Sequence, residues 1–148
     1  MMNRKNRIVT AFRPHSEGLS KLFGSLESDI MDLVWQHEEA TARDIFEALR
    51  DQGQRLSYGA VKTVLDRLVQ KDVLQRTMEN NQYLYRAPLS REEFTKSAVR
   101  EIISSLVDSF GAPVYAQFLD QIQDSDPDQI VRLTEMINAA DRKKKQNS

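Results

Sequence analysis

The spacing of apolar residues changes at Asp72, and that change limits the folds that the chain can adopt. Before Asp72, apolar residues recur every three or four positions, as they do on one face of an α-helix. After it, the segments VLQRTM and QYLYRA alternate with period two, and the ENN between them is typical of a tight turn. The sequence therefore predicts helices followed by a β-hairpin.

Three helices are predicted ahead of the hairpin, each with one apolar face. The first runs from Leu26 to about His37, the second follows an N-cap at Thr41, and the third follows an N-cap at Ser57. Three helices and a two-stranded hairpin in this order are typical of a winged helix-turn-helix, in which the third helix packs on the first two. The predicted apolar faces are Leu26, Ile30, Leu33 and Val34, then Ala42, Ile45, Phe46 and Leu49, then Val61, Val64, Leu65 and Leu68.

A second helical region begins after Pro88. Ser90 and Glu93 fit a capping box for a long helix that ends near Phe110, and two further helices follow it. The expected fold is mostly α with a small β-hairpin, an N-terminal winged helix-turn-helix followed by a C-terminal helical dimerisation region. The predicted parts are a basic N-terminal arm at residues 1–21, the winged helix at 22–88, the helical dimerisation domain at 89–141 and a disordered basic tail at 142–148.

Charge is divided unevenly between the two halves, although the formal net charge is only -1. Residues 1–24 contain five basic side chains and one acidic side chain, whereas residues 89–141 contain four basic and ten acidic ones. Only the N-terminal half is therefore suited to a polyanion such as nucleic acid.

The composition also limits the chemistry and the location of the protein. The chain has no cysteine and only two histidines, which excludes thiolate sites and leaves little material for zinc binding or histidine catalysis. It shows no phosphate loop and no nucleophile beside a base, so we expect no enzyme, no cofactor and no metal. No apolar run is long enough for a membrane span or a secretory signal, which predicts a cytoplasmic protein without a membrane partner.

The third helix has a polar face opposite its apolar one, and that face carries Lys62 and Arg67. The major groove of B-DNA admits one α-helix, so a helix that is buried on one side and basic on the other fits it. The same pattern fits a face that is only solvated. The place of this helix, after a short capped helix and before a hairpin, favours DNA binding. The predicted DNA contacts are Thr41, Arg43, Ser57, Tyr58, Gly59, Ala60, Lys62, Thr63, Arg67, Lys71, Arg76, Asn81 and Arg86.

The C-terminal helices carry more apolar residues than three short helices can bury within one chain. Exposed apolar stripes of this kind usually mark a partner surface, which predicts a homodimer. The predicted dimerisation residues are Phe94, Ala98, Ile102, Ile103, Leu106, Phe110, Val114, Tyr115, Phe118, Leu119, Ile122, Ile130, Leu133 and Ile137.

Three segments, LESDIMDLVW, SYGAVKTVLDRLVQKDVLQR and YLYRAP, resemble in order and spacing the penicillinase repressor family of bacteria, the BlaI/MecI type. The resemblance covers about residues 22–140 and is strongest up to Pro88. It implies a winged helix that binds DNA, a C-terminal part that dimerises, and a palindromic operator near the target genes. The positions that match the recognition-helix pattern are Val61, Thr63, Leu65, Arg67, Leu68 and Lys71, and those that match the second wing strand are Tyr85 and Arg86.

Some positions depart from the family's pattern. Gly59 and Ala60 stand where the family commonly has two threonines, so the resemblance does not define the operator, and Asp72 stands where a glycine is common. The absence of cysteine excludes the sensor of the copper-responsive branch. The basic arm before Leu22 is longer than usual, and it fits either a minor-groove contact or a disordered segment.

The resemblance also implies how repression ends. In the resembling antibiotic-resistance systems, a membrane sensor-protease pathway leads to cleavage of the repressor, so a regulatory protease is an expected partner. The predicted joint between DNA reading and dimerisation runs from Pro88 to Phe110, and a chain of residues 1–89 is expected to fold and to bind DNA weakly. The alternative function is a winged-helix module that docks another protein without binding DNA.

Overall fold

The computed structural model describes Gly18 and residues 23–147, which form two compact units. The first unit ends at Ile103 and the second begins at Ser104. The predicted basic arm, residues 1–21, lies outside the described residues apart from Gly18.

The first unit has the element order of a winged helix-turn-helix, as the sequence predicts. The bounds are α1 (Ser25–His37), β1 (Glu39–Thr41), α2 (Ala42–Asp51), α3 (Tyr58–Gln70), β2 (Gln75–Glu79), β3 (Gln82–Arg86) and α4 (Arg91–Phe110), which begins in this unit and ends in the second.

The predicted apolar faces of α1, α2 and α3 form one core. Ile30, Ile45 and Leu65 are fully buried in it, and Leu26 and Phe46 are partly buried against it. The predicted cap of α3 is also present. The Ser57 hydroxyl accepts a hydrogen bond from the Ala60 amide at 3.1 Å. Local sequence patterns therefore place the three helices correctly.

The sheet has three strands in the order β1-β3-β2, whereas the sequence predicts only the β2–β3 hairpin. Ala40 pairs antiparallel with Tyr85, which lies opposite Arg76 on its other side. A three-residue strand is too short to show a period of two, and only its pairing with β3 makes it a strand. Asn80 and Asn81 both have positive φ, as a type I′ turn requires.

The first turns of α4 belong to the core of the first unit. Phe94 and Ala98 are buried there, and the Phe94 ring stacks on Phe23 at 5.3 Å between centroids and contacts Trp35 at 5.6 Å. The Trp35 indole N–H also donates to the Leu89 carbonyl at 3.0 Å. The assignment of Phe94 and Ala98 to a dimer surface is corrected, since both side chains are covered within the chain.

The compact unit consequently extends past the predicted boundary at Pro88. Ile102 packs partly against the same core, so the first three turns of α4 act as a fourth helix of the winged domain. Periodicity alone cannot show this, because one apolar stripe on one continuous helix looks the same whether it meets its own chain or another.

The second unit consists of the end of α4 with α5 (Ala112–Gln123) and α6 (Pro127–Gln146). Gly111 separates α4 from α5 with φ 65, and the Asp126 carboxylate accepts from the Asp128 amide at the start of α6. Residues 142–146, predicted as a disordered tail, continue α6 instead. Cations in a last helical turn are favoured by the helix dipole, and Lys145 also pairs with Asp141 at 3.3 Å.

Candidate nucleic-acid interface

The exposed face of α3 begins at its N-cap and carries the predicted contact residues Lys62 and Thr63. Val61, Val64, Leu65 and Leu68 point into the core, so the remaining face is fixed in orientation. The Thr63 hydroxyl donates to the Gly59 carbonyl at 2.8 Å, one turn earlier in the helix. Lys62 has no ion-pair partner in the described part of the chain, which leaves its charge available to a ligand.

An open cavity of about 270 Å³ lies between α3, the start of α2 and the hairpin. It brings together five of the predicted DNA contacts, and no carboxylate of the described residues lines it. The predicted contacts on its wall are Thr41, Arg43, Tyr58, Lys62 and Asn81, which come from three separate parts of the sequence.

Aromatic rings hold one of the two cations of this cavity. The Arg43 guanidinium lies 5.4 Å from the centre of the Tyr58 ring, and that ring meets Phe46 edge-on at 5.9 Å. Arg43 also approaches Glu47 at 3.8 Å, a long contact on an exposed helix face. The stacking on Tyr58 therefore does more than the ion pair to direct Arg43.

Thr41 is engaged in a capping box at the start of α2. Its hydroxyl accepts from the Asp44 amide at 3.1 Å, and the Asp44 carboxylate accepts from the Thr41 amide at 2.9 Å. The hydrogen bonds from the backbone and the hydroxyl of Thr41 lower the pKa of Asp44 below its ordinary value. Thr41 thus fixes the helix that presents Arg43.

Two other predicted contacts, Arg67 and Lys71, share a buried carboxylate. Oε1 of Glu27 lies 3.5 Å from Nη1 of Arg67 and 3.7 Å from Nζ of Lys71. Glu27 is only 5% exposed, and its Oε2 has no hydrogen-bond partner within residues 23–147. Since a buried charge must be compensated, Arg67 has a structural role beside any contact with DNA.

The sequence analysis missed Glu27, although a signal for it exists. Glu27 shares helical spacing with Ile30, Met31 and Val34, all of which are buried, and this spacing places an acid on the inner face of α1. A carboxylate on a buried face requires a cation nearby. Nothing in the spacing, however, identifies Arg67 and Lys71 as those cations, because they follow 40 and more positions later.

Arg76 of the hairpin is bound to α3. Its Nη1 donates to Oδ1 of Asp66 at 2.8 Å, and its guanidinium lies 4.4 Å from the centre of the Tyr83 ring. The Tyr85 hydroxyl donates to the same Asp66 oxygen at 3.4 Å. Burial and the Asp66 charge raise the pKa of Tyr85, so this hydroxyl stays protonated as a donor. Asp66 was not among the predicted site residues.

The remaining predicted contacts, Ser57, Gly59, Ala60 and Arg86, are not among the residues that line the cavity. Gly59 and Ala60 lie in the first turn of α3, and Ser57 is the N-cap that precedes it. Arg86, at the end of β3, lies opposite Gln75 and donates to its side-chain oxygen at 3.5 Å.

The predicted dimer surface is largely exposed in the second unit. None of the residues of α5 and α6 is buried, and Phe118 and Leu119 are each 56% exposed. Val114, Ile122 and Leu133 are partly covered. Other predicted dimer residues that are exposed are Ile103, Leu106, Phe110, Tyr115, Ile130 and Ile137. None of the helices in the described part of the chain is long and apolar enough to cross a membrane.

Two sequence relatives are similar to this chain over much of its length. A transcriptional regulator BlaI of Mycobacterium tuberculosis is 30% identical over 87 residues, which span 58% of this chain and 62% of that protein. An uncharacterised 16.5 kDa protein of Latilactobacillus sakei is 25% identical over 113 residues, 76% of each chain.

Solved structures give more distant matches. The DNA-binding domain of the repressor BlaI is 18% identical and covers 53% of this chain and 93% of that domain, with a TM-score of 0.43. RosR of H. salinarum is 19% identical and covers 83% of this chain and 96% of that one, with a TM-score of 0.42.

The family model described as penicillinase repressor matches residues 23–139, which include all the elements from α1 to α5 and most of α6. That match takes in both units, so it does not depend on the winged helix alone. The chain therefore belongs to the penicillinase repressor family, whose members are transcriptional regulators with a DNA-binding winged helix.

Proposed function

We propose that this protein represses transcription by binding double-stranded DNA as a homodimer on a palindromic operator. The observation that carries the proposal is the open cavity between α3 and the hairpin, where Arg43 and Lys62 meet without a carboxylate on the wall. With α3 in a major groove, the hairpin follows the neighbouring phosphate strand. The two cations that line the cavity are then available to the DNA backbone.

Dimerisation is supported by the apolar surface of the second unit. Large apolar side chains such as Phe118, Leu119 and Met136 are more than half exposed on α5 and α6. Surfaces of this kind mark an interaction site, and a second copy of the same chain provides a self-complementary partner around a two-fold axis. A two-fold dimer with one recognition helix in each copy reads two half-sites of opposite direction, which is a palindrome.

Repression would end when DNA reading is separated from dimerisation. The link between two bound half-sites raises overall affinity by roughly 10² to 10⁴ through effective concentration, and cutting the link loses that factor. We propose that a regulatory protease makes this cut beyond Ile103, where the compact first unit ends. A cut before Ala98 would instead remove core residues of the DNA-binding unit.

Titration of fluorescent duplexes by anisotropy at several salt concentrations tests DNA binding. A random-sequence duplex and a duplex selected from fragments of the source genome serve as probes. Lys62→Gln should reduce the salt slope by about 0.9, the value of one phosphate contact, or lose affinity only on the selected duplex if Lys62 reads a base. The control is Lys96→Gln on α4, since Lys96 is also exposed but pairs with Glu92 at 3.3 Å.

An affinity for the duplexes that changes neither with salt concentration nor with the Lys62→Gln substitution would contradict the proposal. It would favour a winged helix that docks protein, because apolar docking responds little to salt.

The dimer and its release are tested with a chain of residues 1–103. This chain is compared with the full chain by sedimentation and by its affinity for the selected duplex. A monomer that binds at least 100-fold more weakly is expected, whereas equal affinity would show that the second unit does not set repression.

A further inference from the structure

We infer that Asp66 is a positioning residue that holds the hairpin against α3 and keeps Arg76 from DNA phosphates, and thereby limits binding that is independent of sequence. This inference rests on the proposed function, since it concerns the same DNA-binding face. It assigns a role to an acidic residue on the recognition helix, where a negative charge opposes a polyanion.

The geometry around Asp66 fixes Arg76 from two sides. The 2.8 Å contact from Nη1 of Arg76 to Oδ1 of Asp66 has the length of a charge-assisted hydrogen bond. The Tyr83 ring, 4.4 Å from the guanidinium carbon, supports the other face of that plane. A rigid guanidinium held in this way is unable to turn toward a phosphate without leaving its carboxylate.

Asp66 also connects α3 to both strands of the hairpin. Arg76 lies in β2 and Tyr85 lies directly opposite it in β3, so both side chains are on one face of the sheet. Both donate to the same oxygen of Asp66. One carboxylate on the recognition helix therefore sets the position of the hairpin beside it.

The pair is exposed enough to open. The side chains of Arg76 and Asp66 are 35% and 40% exposed, and ion pairs of this exposure are weak in water. Arg76 consequently has two competing acceptors, the Asp66 carboxylate and a DNA phosphate, and the Asp66 carboxylate holds it in the wild-type chain. Because phosphate contacts carry no sequence information, restraining one of them lowers affinity for every duplex and leaves the preference for the operator unchanged.

The test is a double-mutant cycle in the full chain with Asp66→Asn, Arg76→Gln and the combined variant. Binding of a random-sequence duplex is measured by anisotropy across a salt series. Asp66→Asn should raise affinity by up to roughly fivefold, the strength of one exposed ion pair, and steepen the salt slope by about 0.9 because Arg76 gains a phosphate. In the Arg76→Gln background, Asp66→Asn should leave the salt slope unchanged.

An equal effect of Asp66→Asn in both backgrounds would overturn the inference, because Asp66 would then act only by repelling DNA. An unchanged or shallower salt slope in the single variant would also overturn it. The selected duplex adds a second readout, since a phosphate contact should raise affinity for the selected and the random duplex by the same factor in Asp66→Asn. A change in the ratio of the two affinities would show that Asp66 acts on base reading and would contradict the restraint.

A measurement without DNA separates this inference from the proposed function. Urea unfolding of the same four proteins gives the coupling between Asp66 and Arg76 directly. Measurable coupling supports the ion pair in solution, and additivity of the two substitutions refutes it. If the four proteins show coupling but the wild-type chain binds no duplex, the proposed function fails and so does the restraint on DNA, whereas the positioning of the hairpin stands.

Discussion

The two units of this protein have apolar residues at similar helical spacing, but the first unit buries these side chains and the second leaves them exposed. In the first unit, side chains such as Ile30, Ile45 and Leu65 are fully buried, and α4 closes the same core with Phe94 and Ala98. In the second unit, α5 and α6 repeat apolar residues at the same helical spacing but bury none of them. The first unit thus buries its apolar surface within one chain, whereas the second leaves its apolar surface exposed.

That difference lies within a single helix. Along α4, Phe94 is 2% exposed and Phe110, four turns later, is 66% exposed. The same residue type on one continuous helix therefore has two roles, core packing at the beginning and surface presentation at the end. The largest expected effects follow from removing the beginning.

Truncation gives the sharpest contrast. A chain ending at Ile103 should fold cooperatively. A chain ending at Leu89 loses Phe94 and Ala98 and uncovers Phe23 and Trp35, so its unfolding midpoint in urea should be lower. Circular dichroism and urea unfolding of both chains check this. A cooperative transition of equal midpoint in the shorter chain would place α4 outside the core, as the sequence-based boundary at Pro88 implies.

A point substitution tests the same helix more finely. Phe94→Ala should lower the free energy of unfolding by about 3–5 kcal/mol, the usual cost of removing a buried phenylalanine. Phe110→Ala on the same helix is the matched control and should have little effect on the first unit. The fluorescence of Trp35, the single tryptophan of the chain, follows the transition because its ring contacts Phe94. Equal losses in the two variants would remove the distinction between the ends of α4.

The apolar surface of the second unit is tested by adding a charge. Phe118→Glu should increase the dimer dissociation constant by roughly tenfold or more, because a desolvated carboxylate costs more than about 1 kcal/mol. It should leave the unfolding of the first unit unchanged. Gln117→Glu adds the same charge beside it without removing an apolar ring. Sedimentation velocity at micromolar concentration is the measurement, and a Phe118→Glu dimer as stable as wild type would exclude this face.

Acid unfolding tests the cap of α2 in the first unit. Because the pKa of Asp44 is lowered in the folded chain, its carboxylate adds stability above its ordinary pKa of 3.8. That contribution is lost as the pH falls through the folded value. Asp44→Asn should cost about 1 kcal/mol or less at neutral pH, because it weakens the capping-box hydrogen bond from the Thr41 amide, and progressively less below the ordinary value. A difference that is constant from neutral to strongly acid pH would contradict the carboxylate as its source.

The smallest expected effect concerns the turn after α3. Asp72 has φ 60, a left-handed conformation that glycine adopts without strain. Asp72→Gly should raise the free energy of unfolding by less than about 1 kcal/mol, since the relief is partly offset by the freedom of glycine in the unfolded chain. Asp72→Ala is the control and should destabilise, because alanine lacks the local hydrogen bonds that let aspartate tolerate this region. A loss of stability with glycine would show that the aspartate side chain is needed here.

Much of the fold was predictable because its signals are local. The change of period at Asp72, the caps at Thr41 and Ser57, and the two asparagines of the turn each act within a few residues. The strand β1 was not predictable, since it is defined by pairing with β3 some 40 residues later in the chain. The continuation of α6 beyond Asp141 was missed because a run of cations resembles a solvated tail.

In the candidate site, too, local features were predictable from the sequence and contacts between elements were not. The exposure of Lys62 opposite a buried face follows from helical spacing, and so does the inner position of Glu27. The pairing of Arg67 with Glu27 and of Arg76 with Asp66 does not, because each joins residues from different elements. Predicted contacts that look equivalent in the sequence therefore differ in how free their charges are.

By itself, the sequence determined the helices, the hairpin, the caps and the division of charge, because periodicity, capping and turn chemistry operate over one or two turns of backbone. Only the tertiary structure decided which apolar stripes close a core and which cations stand free. Burial and ion pairing depend on what a side chain meets across the fold, and the apolar stripe of α4 meets its own chain at Phe94 and leaves Phe110 exposed to solvent.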